Sequence, residues 1–286
     1  MPTREESNVG READATEQTE EPKRPGVPAV VHAITIMRHF QEQGNEPQSM
    51  TEIARDLGIN GSTCFNILRT LTDGALLAYD PDTRHYRLGM GLVELASMVD
   101  SHGHLLQAAQ VHAARVAKEV GQVCLILRKG ADDSFIVVGK AEGTRRLKVT
   151  ASIGDRFPPN GAVLAKAFYA WCDEEEIEQM LTLHGLPARS DTSITGYMDF
   201  KKELEKTRAR GYSTSFGEYF DGHNAVGTAV LTPSGDPALL LVVTGFASLI
   251  KSKTMPFIGS RLSLAAKAVT RDVYGTAPRS LPRRTA

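Results

Sequence analysis

Apolar residues recur at helical spacing in two consecutive segments near the start of the chain. In the first segment, Ile53, Ala54 and Leu57 share one helical face. In the second, the apolar positions follow the i, i+3, i+4, i+7 pattern of an amphipathic helix, at Cys64, Ile67, Leu68 and Leu71. Gly58 lies between them, where helices often end in a left-handed residue. The pattern predicts two short helices joined by a tight turn.

The first of these helices has a recognisable start, and a third helix precedes it. Ser49 and Glu52 suit a capping box, in which each residue bonds the backbone N–H of the other. Upstream, the apolar residues at core spacing are Val30, Ala33, Ile34 and Met37. We therefore expect three helices that share one small core.

Two short strand-like runs follow, at residues 76–79 and 85–88, with the polar segment DPDT between them. Proline presets φ, and aspartate side chains bond the local backbone, so the segment predicts a turn. The resulting hairpin carries Arg84 and His85 at its tip. Three helices and such a hairpin are typical of a winged helix-turn-helix, a module that binds duplex DNA. The alternative is a helical hairpin followed by an ordinary surface turn.

The outward face of the second helix carries groups suited to a DNA groove. Ser62, Asn66 and Arg69 point away from the apolar stripe, and Thr63 lies on its flank. Hydroxyl, amide and guanidinium groups reach phosphates and base edges. The residues that we predict to contact DNA are Ser49, Thr51, Gly61, Ser62, Thr63, Asn66, Arg69, Arg84 and His85.

Charge provides the main argument against this interpretation. The chain has a formal net charge of -1 at pH 7. Residues 27–90 hold five arginines and no lysine, against seven aspartates and glutamates. The electrostatic footprint usual for a DNA-binding domain is therefore weak. A winged module that contacts protein rather than DNA is the alternative that this balance favours.

A chain of 286 residues is long enough for two domains with separate cores. We expect a disordered tail at 1–26, the winged helix-turn-helix at 27–89, a linker helix at 90–104, a second domain at 105–275 and a flexible tail at 276–286. No apolar signal core or membrane-length stretch is visible, so we expect a cytoplasmic protein.

Cysteine and histidine spacing predicts no metal site. Cys64, Cys124 and Cys172 are far apart and odd in number, so neither a disulfide framework nor a zinc pattern follows. The residues around the glycine break of the linker match no standard ligand spacing. They are Asp100, His102, His104 and His112.

From residue 122 onward, strand-like runs rich in Val, Ile, Leu and Thr alternate with helical segments, and one of these predicted strands is LKVTASI at 147–153. This pattern predicts an α+β domain with a mixed or antiparallel sheet packed by helices. It contains no phosphate loop, nucleophile elbow or Walker pattern. Ser215, Glu218 and His223 are close in sequence, but no motif places them in catalytic geometry. We predict neither an enzyme nor a cofactor.

Over roughly residues 28–275 the chain resembles the IclR-type bacterial transcriptional regulators. The segments that carry the resemblance to the family's helix-turn-helix, wing and linker are TEIARDLGINGSTCFNILRTL and DPDTRHYRLG followed by LVELAS. FPPNGAVLAKAFYAW resembles the loop and helix that border the family's ligand pocket. RARGYSTSFGEYFDGHNAVGTAVL resembles the family signature, with Gly211, Ser215 and Glu218 at its spacing.

The resemblance implies a ligand-responsive regulator. Its winged module would bind a palindromic operator as a homodimer, with tetramers formed as dimers of dimers. Its C-terminal GAF-like mixed α/β domain would bind a small carboxylate effector and so govern a catabolic operon. The effector must favour either the DNA-competent or the incompetent arrangement. The alternative is a small-molecule sensor or protein-interaction module without specific DNA binding.

The resemblance also implies which residues border the effector: Asn160, Gly161, Ala162, Ser215, Glu218, Ala225, Val242 and Thr244. The first three open a helix, whose free amides can hold a carboxylate. Many relatives have an acidic residue at Ser215 and Cys or Ser at Ala225. We therefore hypothesise a roomier, less polar pocket and an effector larger than glyoxylate or pyruvate, such as an aromatic acid. Sheet packing is the alternative role for all of these residues, and for Ala225 and Val242 taken alone it is the favoured one.

The predicted recognition helix departs from the family pattern at two positions. Gly61 stands where the family often has Lys, and Asn66 where it often has Arg. Arg69 would then supply the cation one turn later. Because Asn can read adenine with two hydrogen bonds, we expect an operator that differs from those of relatives.

Overall fold

The computed structural model describes residues 26–98, 103–145, 149 and 151–275. The chain divides into two compact units, an N-terminal unit that ends at Val93 and a C-terminal unit that begins at Glu94. The predicted tails, except Gly26, and residues 99–102 of the predicted linker lie outside the described residues.

The N-terminal unit consists of three helices and a small antiparallel sheet with strand order β1-β3-β2. Its elements are α1 (Pro28–Glu42), β1 (Gln48–Ser49), α2 (Met50–Leu57), α3 (Gly61–Asp73), β2 (Leu77–Asp80) and β3 (His85–Leu88). The short strand β1 was not predicted. It pairs with β3, so the hairpin is fastened to the start of α2.

Local signals explain where these elements begin and end. The predicted capping box is confirmed: Ser49 Oγ accepts from Glu52 N at 3.4 Å, and the Glu52 carboxylate accepts from Ser49 N at 2.8 Å. Gly58 ends α2 in the left-handed region with φ of 64°. In the hairpin turn, Asp80 Oδ1 accepts from Asp82 N at 2.9 Å. The winged helix-turn-helix fold is therefore confirmed, with β2 one residue later than predicted.

The prediction for α1 is wrong at two positions. Val30 and Ile34, which we expected in the core, are 56% and 43% exposed. The fully buried residues of this helix are Ile36 and Phe40. Apolar residues occupy two faces of α1, so helical periodicity cannot decide which of them faces the core.

The C-terminal unit is built on a six-stranded antiparallel sheet with strand order β6-β5-β4-β9-β8-β7. Its strands are β4 (Val123–Lys129), β5 (Phe135–Ala141), β6 (Arg156–Phe157), β7 (Ser213–Phe216), β8 (His223–Leu231) and β9 (Pro237–Phe246). Its helices are α5 (Gly103–Val120), α6 (Ala162–Tyr169), α7 (Glu174–His184), α8 (Tyr197–Arg210), a 3-10 turn (Ser252–Thr254) and α9 (Met255–Tyr274). Helix α4 (Gly91–Met98) spans the division between the units.

Helices cover both faces of this sheet. Along β4, Val123, Leu125 and Leu127 belong to a core shared with α6, α7 and α8. Cys124 and Ile126 belong to a second core, shared with α5 and α9. Strands buried on both faces read as continuous apolar runs rather than alternating ones. The predicted α+β class is confirmed.

One predicted strand is wrong. We expected a strand at 147–153, but its described residues, 149 and 151–153, are irregular or turn. Ser152 N donates to Asp155 Oδ2 at 2.7 Å, and Asp155 N donates back to Ser152 O at 3.1 Å. These turn hydrogen bonds occupy the groups that a strand would use, and β6 begins only at Arg156.

None of the helices in the described part of the chain is both long and apolar enough to cross a membrane. The three cysteines are buried and free.

Candidate nucleic-acid interface and ligand cavity

Helix α3 presents a polar face outward. Asn60 caps its start, with Oδ1 accepting from Ser62 N at 3.0 Å and from Ser62 Oγ at 2.8 Å. Asn66 and Arg69 are exposed on the same helix, while its apolar stripe is buried. This exposure agrees with the predicted orientation, and DNA contact by these residues stays a prediction. Asn60 was missed, although an Asn before a helix is a standard start signal.

The other predicted DNA-binding residues differ in what they can offer. Ser49 is half-buried, and its hydroxyl group donates its proton to Glu52 Oε2 at 2.8 Å. This hydroxyl therefore has no second proton to donate to a phosphate. Thr51 and Gly61 are exposed, and a side chain at Gly61 would meet nothing within 4 Å. Thr63 is half-buried at the edge of the polar face.

The wing carries two exposed arginines, Arg84 and Arg87. Arg84 is exposed and holds a φ of 60°, and the neighbouring His85 Nδ1 lies 2.6 Å from Thr83 O. Arg87 is exposed on β3 and was missed. Successive side chains of a strand point to opposite faces, so the buried Tyr86 indicates that the adjacent Arg87 faces outward.

A cavity lies between α6 and the sheet of the C-terminal unit, with about 480 Å³ of empty space including its open mouth. Three of its polar and small residues are cross-strand neighbours, since Ser215 pairs with Ala225 and Ala225 with Thr244. The full lining is Leu125, Leu127, Phe157, Gly161, Ala162, Val163, Leu164, Ser215, Tyr219, His223, Ala225, Val242 and Thr244. Six of the eight residues predicted to border an effector therefore meet in one cavity.

The remaining two, Asn160 and Glu218, border a neighbouring cavity of about 350 Å³. Asn160 Nδ2 donates to the carbonyls of His184 and Gly185 at 2.7 and 3.2 Å, which ties it to the end of α7. The Glu218 carboxylate accepts from Lys166 Nζ at 2.7 and 2.8 Å. These two side chains line the smaller cavity, which shares Ala162 with the larger one.

The Lys166–Glu218 ion pair lies in the lining of the smaller cavity and joins α6 to the segment after β7. Lys166 lies on α6 and is 2% exposed, and Glu218 follows β7 and is also buried. Burial lowers the pKa of Lys166, while the adjacent Glu218 carboxylate acts in the opposite direction. Sequence reasoning missed this lysine. Its position could have been noticed because Lys166 is a charged residue within the apolar segment of α6. A lysine that is fully buried there requires a charged partner.

The larger cavity has no lysine, arginine or carboxylate among its lining residues. A bound carboxylate would therefore depend on neutral donors. Residues 162–164, which form the first turn of α6, line the cavity, and the amides of a first turn have no acceptor within the helix. At the opposite side, His223 Nε2 lies 2.6 Å from Thr244 Oγ1. Sequence reasoning did not place His223 at this site.

Two loops meet at Tyr219, which lines the cavity. The Arg189 guanidinium lies 4.8 Å from the centre of the Tyr219 ring. Ser193 Oγ donates to Glu218 O at 2.8 Å, and Thr192 Oγ1 donates to Phe216 O at 2.8 Å. The loop after α7 is thus fastened to the segment after β7, beside the cavity.

Neither a hydrolytic set nor a metal cluster is found in the part of the chain that the structure describes. Glu218 bonds Lys166 and His223 faces Thr244, rather than joining Ser215. The described residues include no group of three or more metal-ligating side chains. Among the residues around the glycine break of the linker, His112 Nε2 lies 2.8 Å from Asp272 Oδ2. Residues 100 and 102 lie outside the described residues.

Because of the buried His223, we expect the free energy of unfolding to depend on pH. Burial lowers the pKa of its imidazole below the ordinary 6.5. The unfolded chain therefore binds the proton more readily, and stability is lost as pH falls below about 6.5. In urea titrations between pH 7.5 and 5.5, His223→Gln should lose less stability than the unmodified chain. Parallel pH profiles would show that His223 is not the group responsible.

Both parts of the chain match models of one protein family. Residues 29–81 match the IclR helix-turn-helix domain, and residues 97–271 match the bacterial transcriptional regulator IclR C-terminal domain. The acetate operon repressor of Salmonella typhimurium is 24% identical over 251 residues, which cover 87% of this chain and 91% of the repressor.

Solved structures show the same fold. An IclR transcriptional regulator from Alicyclobacillus acidocaldarius matches with a TM-score of 0.73 and 28% identity, covering 87% of this chain and all of that one. An IclR homologue from Microbacterium hydrocarbonoxydans, in complex with 4-hydroxybenzoate, matches with a TM-score of 0.74 and 18% identity, with the same coverage.

Proposed function

Because the chain belongs to the IclR family of bacterial transcriptional regulators, we propose that it is a cytoplasmic, ligand-responsive regulator of a catabolic operon. Its winged helix-turn-helix binds a palindromic operator, and a small carboxylate in the C-terminal cavity changes that affinity. One observation carries the proposal: the chain joins a helix with an exposed polar face to a separate unit with a ligand-sized cavity. The relative named a repressor supports repression as the mode of action.

The cavity lining supports an aromatic acid as the effector. Leu125, Leu127 and Phe157 supply apolar walls, and Ala225 adds no polar group. The carboxylate of such a ligand is held by the first-turn amides of α6, and its ring lies against the apolar walls. The 4-hydroxybenzoate complex of a relative with this fold is consistent with that class of ligand.

Calorimetry tests the effector class. We expect benzoate or 4-hydroxybenzoate to bind more tightly than glyoxylate or pyruvate. Ala225→Leu, which adds three carbons inside the cavity, should weaken aromatic-acid binding by at least about tenfold through steric overlap. Val111→Leu is the control, because it enlarges an exposed aliphatic side chain on α5 that does not line the cavity. Tight binding of a two- or three-carbon keto acid, with no binding of either aromatic acid, would contradict the proposed class.

We further propose that the chain acts as a homodimer through α1, and as a tetramer by association of two dimers. The outward face of α1 carries the exposed aliphatic residues Val30, Val31 and Ile34, and the exposed Val27 precedes them at the N-cap. These residues form one continuous stripe, the kind of surface that a second helix covers. A palindrome requires two copies of the winged module.

The double substitution Val30→Lys and Ile34→Lys should weaken self-association, because it places charges in the centre of this stripe. We expect sedimentation velocity to shift toward smaller species and affinity for palindromic DNA to fall by at least about tenfold, as cooperation between two half-sites is lost. Val111→Lys, on α5, is the matched control. Unchanged assembly and unchanged DNA affinity would exclude α1 as the interface.

A further inference from the structure

Phe65 is an exposed aromatic side chain on α3. It is 47% exposed, although the core of the N-terminal unit is filled by other residues of the same helix. Those buried residues are Cys64, Ile67, Leu68 and Leu71. Phe65 is therefore not required to complete the core, and its ring faces water in this unit.

The position of Phe65 on the helix places it among polar residues. Ser62 lies three residues before it and Arg69 four residues after it, and residues at these separations are neighbours on a helix surface. Asn66 follows it directly, and all three polar residues are exposed. Phe65 also lies in the first half of α3, the part of a recognition helix that reaches base edges.

The chemistry of the ring restricts what it can recognise. A phenyl group has no hydrogen-bond donor or acceptor, so it cannot read the polar pattern of a base pair. The apolar group that the major groove offers is the 5-methyl group of thymine, and Phe is one of the side chains that contact it. The methyl group and the exposed ring both leave water in such a contact, which is favourable.

We propose that Phe65 is a specificity-determining residue that recognises a thymine through its 5-methyl group, beside the base read by Asn66. This inference rests on the proposed function, since it requires α3 to lie in the major groove of an operator. It adds a thymine preference to the adenine preference expected from Asn66.

The test begins with duplexes that the full-length protein selects from a randomised library. Each thymine of the selected sequence is then replaced by uracil, which removes only the methyl group, and affinity is measured by fluorescence anisotropy. We expect a loss of about fourfold per half-site at one thymine position, the effect of one buried methyl-sized group. This measurement on the unmodified protein needs no folded variant.

The second part of the test repeats these measurements with the Phe65→Ala variant. This variant should bind the selected duplex more weakly, show no further loss on uracil substitution, and select sequences without that thymine. Its salt dependence should stay unchanged, because no phosphate contact is removed. Phe257→Ala is the matched control, since Phe257 is 48% exposed on α9 in the other unit.

The outcomes separate this inference from the function on which it rests. Sequence-specific binding with no sensitivity to uracil at any thymine would overturn the role of Phe65 and leave the regulator intact. The same holds if Phe65→Ala keeps the uracil sensitivity. Failure to select any sequence would overturn operator binding and this inference together.

Discussion

Replacing Lys166 with methionine is expected to lower the free energy of unfolding of the C-terminal unit by about 3–5 kcal/mol. The substitution leaves the buried Glu218 carboxylate without the ammonium group that binds both of its oxygens, at 2.7 and 2.8 Å. An isolated carboxylate in that position is unfavourable, because burial removes its hydrating water and no other group forms hydrogen bonds in place of that water.

The double variant Lys166→Met, Glu218→Leu should recover most of the loss. Removing both charges replaces the pair with apolar groups, and such exchanges are often neutral or stabilising. The comparison distinguishes the effect of an unpaired charge from a simple loss of packing. If the double variant is as unstable as the single one, packing rather than charge explains the result.

Urea unfolding followed by fluorescence is the appropriate measurement. The single tryptophan, Trp171, packs against a core of the C-terminal unit, so its signal reports on that unit. Lys201→Met is the matched control, because the Lys201–Glu174 pair has a similar distance of 2.9 Å but is solvent-exposed. Exposed pairs contribute about 0–1 kcal/mol. A loss below about 1 kcal/mol for Lys166→Met would contradict the account of the buried pair.

Asn66→Ala is expected to reduce discrimination at one base pair of each half-site by about five- to 150-fold. A bidentate amide contact to a base is worth about 1–3 kcal/mol, and alanine removes both hydrogen bonds. Affinity for the preferred operator falls, while affinity for duplexes changed at that base pair remains nearly constant. Selection from a randomised library, followed by anisotropy on each single-base variant, measures the change.

Arg84→Ala serves as the contrasting variant. Arg84 is exposed at the hairpin tip, and we propose that it contacts a phosphate. Its loss should therefore weaken binding to all sequences alike and reduce the salt slope by about one. If Asn66→Ala leaves operator preference unchanged, α3 is docked differently from our description. If Arg84→Ala changes preference instead of general affinity, the wing reads sequence.

The winged module was predictable because its signals are local. The capping box at Ser49, the left-handed Gly58 and the polar turn after β2 all act within a few residues of their own positions. The face of α1 was not predictable. Val30 and Ile34 satisfy the same periodicity as the buried residues, and the choice between the two faces depends on the helices that pack against them.

The cavity that we propose for the effector depends on strand register, which the sequence does not display. Ser215, Ala225 and Thr244 are brought side by side by pairing across β7, β8 and β9, and only the family resemblance indicated them. The Lys166–Glu218 pair joins residues 52 positions apart. Such a pairing follows from tertiary structure, so Glu218 was indicated by the family resemblance but its partner Lys166 was missed.

Operator binding is tested most directly by fluorescence anisotropy of the full-length protein with its own upstream intergenic DNA and with a scrambled duplex, across a salt series. We expect a preference of about a thousandfold or more for the upstream DNA and a steep loss of affinity as salt rises. Equal, weak binding to both duplexes at every salt concentration would contradict operator recognition at this locus and favour a protein partner for the winged module.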